Sequence, residues 1–186
     1  YKTTDKHHGA VYMLKSEITG QSKPGWGGGC YIKPDVYLTQ ANYDKFNNDF
    51  STVTHIPPDA FKDFPGTITL KNLINLVYIG EGAFYGATNT DNSVEIIDNK
   101  LQSIGDNAFK DFSGTITLMN LNKLESIGSS AFSNASRSAF HGYVEITDVG
   151  NSLESIGQYA FDTFKGKIKL HNLNALTSIG IKALMN

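Results

Sequence analysis

AFKDFPGTITL occupies Ala60–Leu70 and AFKDFSGTITL occupies Ala108–Leu118, so the chain writes nearly the same eleven residues twice, 48 positions apart. The pair belongs to a longer series. Ala-Phe stands at 60–61, 83–84, 108–109, 131–132 and 160–161, and Ala183-Leu184 closes the set, with steps of 23, 25, 23, 29 and 23 residues. Self-similarity at this period marks a solenoid, in which no turn buries its own apolar face and the turns fold together or not at all.

An Ile-Gly precedes each pair (Ile79-Gly80, Ile104-Gly105, Ile127-Gly128, Ile156-Gly157, Ile179-Gly180), with Ile56-Pro57 in the first turn. An alternating stretch follows each pair: TITL, VEII, TITL, VEIT and KIKL. Period-two alternation predicts strands. Ile68 and Leu70 turn inward, and so do Val94 with Ile96, Ile116 with Leu118, Val144 with Ile146, and Ile168 with Leu170. Stacked at about 4.8 Å per turn, these segments make a parallel sheet. The LESIG-type segments predict a second, more irregular strand on the other side. The expected fold is a right-handed leucine-rich repeat solenoid, α/β but mostly β. It has about five parallel strands on its concave face, joined by short helical or irregular turns.

Two columns have structural readings. Phe61, Phe84, Phe109, Phe132 and Phe161 are expected to stack as an aromatic spine. Asn72, Asp98, Asn120, Asp148 and Asn172 recur just past each strand, where short polar side chains satisfy backbone N–H groups at a bend. Calcium is the rival reading for the two aspartates, but two turns separate them by about 10 Å, too far to share an ion. The Gly column has two readings. Positive φ is one, but Pro57 shares the column and proline cannot adopt it; close packing is the other.

The turns alternate in type. AFKDFPGTITLKN, AFKDFSGTITLMN and AFDTFKGKIKLHN place the first inward strand residue seven positions after Phe. AFYGATNTDNSVEIID and AFSNASRSAFHGYVEITD place it ten and twelve positions after, and put Ala87 or Ala135 where the others have Phe64, Phe112 or Phe164. Residues 86–93 and 134–143 are therefore long loops from one edge, a common place for binding on repeat proteins. They carry Asn89, Asp91, Arg137, Phe140, His141 and Tyr143. Phe140 has a packing reading, filling the slot at Ala135.

LQSIGDNAF, LESIGSSAF and LESIGQYAF resemble the BspA-like leucine-rich repeats, with their L-x-S-I-G-x-x-A-F signature, and the likeness runs from Val53 to Leu184. It implies a surface-exposed or secreted protein, associated in that family with adhesion to host proteins or cells. The long loops depart from the family's plain rhythm.

Residues 1–50 do not follow the repeat and are expected to cap the solenoid or to belong to an upstream domain, with the repeat domain at 51–186. Other chemistry finds little support. Cys30 is the lone cysteine, so no intrachain disulfide forms, and no paired base stands near it. GWGGG lacks the Gly-Lys-Ser/Thr of a phosphate loop. His7 and His8 are adjacent on a terminal segment, His55, His141 and His171 fall in different turns, and no cofactor is expected. The net charge of −2, with 15 Lys and only Arg137 among arginines, forms no basic stripe, which argues against nucleic acid. No apolar run reaches membrane-spanning length.

The expected function is therefore a non-catalytic binding module, with a spacer domain as the alternative and an enzyme as the remote one. A protein or glycan ligand is expected on the outward strand positions and the loop edge. Thr69, Glu95, Thr117, Glu145 and Lys169 are read as the middle column, beside Ile97 and Met119 on one side and Tyr143 with Lys167 on the other, with Arg137 from the loop. The plain alternative is that Thr rows favour a sheet. End-to-end self-association is expected through the C-terminal repeat, which stops at Asn186 in mid-turn.

Overall fold

A computed structural model describes residues 35–97, 100–135, 142–147 and 152–185. Among the described residues eleven strands make two parallel sheets, with one 3-10 turn at Tyr43–Phe46. Six two-residue strands pair in chain order: β1 (His55–Ile56), β3 (Tyr78–Ile79), β5 (Ser103–Ile104), β7 (Ser126–Ile127), β9 (Ser155–Ile156) and β11 (Ser178–Ile179). The other sheet is β2 (Thr69–Leu70), β4 (Ser93–Ile97), β6 (Thr115–Met119), β8 (Gly142–Thr147) and β10 (Lys167–His171), again in chain order. The chain is a parallel β-solenoid, as the alternation of TITL with VEI and the Ser-Ile column predicted.

The Ala-Phe segments form a ribbon of linked bends. Ala60, Lys62 and Phe64 N–H groups donate back three residues, to Pro57, Asp59 and Phe61 carbonyls (3.3, 3.2 and 3.2 Å). The intervening Asp59, Phe61 and Asp63 donate to Glu81, Ala83 and Tyr85 carbonyls of the next turn (2.8, 2.6 and 2.8 Å). Every donor in the ribbon is thus satisfied, half within the turn and half between turns. The geometry requires left-handed backbone just before each Ala, at Asp59, Gly82, Asn107, Ser130, Tyr159 and Lys182. It is required again two residues past Phe, at Asp63, Gly86, Asp111, Asn134 and Thr163.

Phenylalanine fills the interior. Phe61, Phe84, Phe109, Phe132 and Phe161 are fully buried and stack nearly parallel, with successive ring centroids 5.4, 4.8, 5.3 and 4.9 Å apart. Phe112 packs edge-on against Phe109 and against Phe84 of the preceding turn (5.7 and 6.1 Å), and Phe164 does the same with Phe161 and Phe132 (5.9 and 6.1 Å). Each such ring reaches toward a turn whose own position is Ala87 or Ala135. This large–small alternation is the physical content of the two-turn unit, because one edge-on ring uses the width of two turns.

The glycine after each Ile is a packing residue. Gly80, Gly105, Gly128, Gly157 and Gly180 are absent from the positive-φ positions, and a Cβ at any of them would run into backbone of the preceding turn. The polar column differs from expectation. Asn72, Asn120 and Asn172 share left-handed backbone (φ 62°, 56° and 56°), and among the described residues their side chains make no hydrogen bond. They supply a conformation that asparagine tolerates, not a side-chain acceptor. Asp98 and Asp148 lie outside the described residues.

Register corrects the sequence alignment. Leu70 pairs with Val94 and Leu118 with Val144, a slide of two residues from the expected partners, whereas Val94–Ile116 and Val144–Ile168 pair as expected. A slide of two keeps every inward residue inward, so alternation cannot detect it. It also evens the path from spine to strand: nine residues from Phe61 to Leu70 now match ten from Phe84 to Val94.

Residues 35–50 lie over the first turn, with Leu38 and Phe50 fully buried and Tyr37 bridging to His55; residues 1–34 of the expected cap lie outside the described residues. Tyr43 stacks on Phe50 and meets Phe61 edge-on. Its hydroxyl accepts from Thr69 N–H (2.8 Å) and donates to Thr69 O (3.1 Å), standing in for the missing neighbour strand at the edge of β2. Nearby, the Ser51 hydroxyl and N–H hold the Asp49 carboxyl below the ordinary carboxylate range. Tyr43→Phe is expected to cost about 1 kcal/mol by chemical denaturation, since water reaches both freed Thr69 groups and softens the loss. A cost of several kcal/mol would show that the cap depends on this one hydroxyl.

Candidate functional site

The outward face of the five-stranded sheet carries two rows. Glu95, Thr117, Tyr143 and Lys167 form one, and Ile97, Met119, Glu145 and Lys169 the other. The single column expected from the sequence is therefore split. Glu145 and Lys169 belong beside Ile97 and Met119, and Thr69 pairs with Ser93, away from Glu95. Glu95 and Lys169 are exposed, while Ile97 and Met119 are half-buried neighbours. Tyr143 and Glu145 are placed by the backbone of β8 alone. Arg137 and residues 136–141 of the second long loop lie outside the described residues.

The first long loop does not project freely. Asn92 is buried; its Oδ1 accepts from Ile68 N–H (2.9 Å), and its Nδ2 donates to Ala87 O (3.1 Å). Asn89 Nδ2 reaches Thr67 Oγ1 of the preceding turn (3.1 Å). The loop is folded back and tied to its neighbour, which leaves Thr88, Thr90 and Asp91 as its exposed tip.

The six-stranded sheet carries a surface that sequence reasoning passed over. Its outward column begins with rings, Tyr37, His55 and Tyr78, spaced 5.0 and 6.2 Å apart, and continues as Ser103, Ser126, Ser155 and Ser178. Serines beside the glycine column leave an open groove of about 540 Å³, bounded at one end by Tyr78 and along one side by Asp106 and Ser129. The signal lay in the recurring Ser-Ile-Gly: small residues at two adjacent columns must leave a trough.

A smaller recess of about 250 Å³ lies on the bend ribbon. There the Lys62 and Lys110 ammonium groups, from the turns on either side, sit 5.6 and 5.7 Å from the Tyr85 ring centroid, and Asp59 pairs with Lys62 at 3.6 Å. Its charges are mutually compensated. Among the described residues no three His, Cys, Asp or Glu side chains converge on a metal position, and no helix is long and apolar enough to cross a membrane.

The model of the BspA type leucine-rich repeat region matches residues 32–161 and 135–186, in 6 copies. No curated protein and no solved structure matches the chain.

Proposed function

This chain belongs to the BspA-type leucine-rich repeat family, a generally non-catalytic binding fold, and we propose that it is a binding module of a cell-surface or secreted protein. Its role in this reading is adhesion, through recognition of an extracellular protein by the five-stranded face. The observation that carries the proposal is the pairing of the half-buried Ile97–Met119 strip with charged neighbours on a rigid sheet. An apolar strip rimmed by charge gives both desolvation and orientation to a partner. Glu95 and Lys169 are its exposed charged neighbours, and the reading extends to Tyr143 and Glu145 by strand register alone; Arg137 remains a candidate from the sequence only. Residues 35–50 serve as the cap.

The test is Met119→Ser combined with Lys169→Ala, assayed on immobilised extracellular-matrix proteins alongside thermal unfolding. Binding is expected to fall about tenfold or more with the melting temperature little changed, as for loss of a central contact and its charged neighbour. Unchanged binding in a folded variant would leave this face bland and favour the spacer reading.

A further inference from the structure

We propose that the groove on the six-stranded sheet binds an extended, uncharged polysaccharide chain, a site separate from the protein-recognition face. Four hydroxyls, of Ser103, Ser126, Ser155 and Ser178, line its floor one per turn, and among the described residues none has a protein hydrogen-bond partner. Successive turns are separated by the strand spacing of about 4.8 Å, close to the length of one pyranose ring in an extended chain. An extended peptide advances about 3.3 Å per residue and falls out of step with such a ladder. The groove also presents the face of a sheet, so it offers a peptide no free backbone edge to pair with. At its closed end the half-buried Tyr78 follows Tyr37 and His55 in a row of tilted rings, an aromatic surface suited to the C–H face of a sugar.

The margins fit the same ligand. Asp106 lines the groove, Glu81, Glu125 and Glu154 are next in sequence to the Gly80 and serine positions of the same columns, and all four are exposed. Carboxylates accept hydrogen bonds from sugar hydroxyls. Their shared sign repels an anionic polymer, and equally a second copy of this face. Lys100 is drawn off to Asn75 Oδ1 at 2.9 Å.

Calorimetry on the full chain with cellohexaose and chitohexaose, and with hexagalacturonate as the anionic control, tests the assignment. Both neutral hexamers are expected to bind, and the acidic one not. Ser126→Lys with Ser155→Lys fills the groove and is expected to weaken binding about tenfold or more, whereas Met119→Ser with Lys169→Ala leaves it unchanged. Should the lysine variant fail to fold, Tyr78→Ala provides a second reading, with weaker binding expected from loss of the aromatic surface. Absence of binding by either neutral hexamer at about millimolar concentration, equal binding of hexagalacturonate, or wild-type affinity in a folded groove variant would each overturn the proposal. None of these outcomes bears on matrix-protein binding at the other face.

Discussion

Phe109→Ala is expected to destabilise the solenoid by about 3–5 kcal/mol, the usual cost of emptying a phenylalanine site in a core. Phe109 is fully buried, with ring neighbours on three sides: Phe84 at 4.8 Å, Phe132 at 5.3 Å and Phe112 at 5.7 Å. The upper part of the range applies, because the neighbouring rings are held by backbone bonds between turns and cannot collapse into the gap. Phe109 N–H to Ala131 O at 2.7 Å and Phe84 N–H to Ala108 O at 2.7 Å fix the spacing. In a stack where each turn contacts only its neighbours, a cavity at the middle also weakens the coupling of the two halves. Urea unfolding should show a lowered midpoint together with a broadened or split transition. A loss under about 1 kcal/mol would mean that the spine carries little of the stability.

Gly105→Ala is expected to destabilise by about 2–3 kcal/mol, in the range of an overpacked core. Elsewhere Gly→Ala at a compatible backbone position stabilises by about 0.4–1 kcal/mol through the unfolded chain, so the sign is the test. The added Cβ would stand 2.6 Å from Glu81 N and 2.8 Å from Gly80 C. Those atoms are backbone, and Gly105 N–H is bonded to Ile79 O at 2.8 Å, so neither partner can rotate away. Stability equal to or above wild type in thermal and urea unfolding would show that the turns can separate locally, and would remove the close-packing account of the column.

The residues that repeat in type were legible in the sequence, and those that repeat only in conformation were not. Ala-Phe, Ser-Ile and the strand alternation each reuse one side-chain type, so spine, short sheet and long sheet could be read directly. The left-handed position before Ala is held by Asp59, Gly82, Asn107, Ser130, Tyr159 and Lys182. Three of these tolerate positive φ and advertise it; the serine, tyrosine and lysine hide it, since tertiary hydrogen bonds between turns impose the conformation on them. The register of the long sheet was hidden for another reason. Alternation fixes which way Glu95 and Thr117 point but is blind to a slide of two, and that slide places position 143, not 145, in register with Glu95 and Thr117. The groove was visible in Ser-Ile-Gly but was read as interior geometry alone, because a trough exists only where two small columns lie side by side.

The edge-on rings of Phe112 and Phe164, each leaning over an alanine turn, impose a parity on the whole molecule. Turns can be counted out or spliced in by twos and the sequence of ring, gap, ring survives. Remove a single turn, such as the one bearing Ala87, and Phe64 and Phe112 become next-door occupants of a space sized for one. Remove a phenylalanine turn and two alanines face each other across a void. The length of this solenoid is therefore quantised in pairs, and the near-identity of Ala60–Leu70 with Ala108–Leu118 is the wavelength of that rule written into the chain.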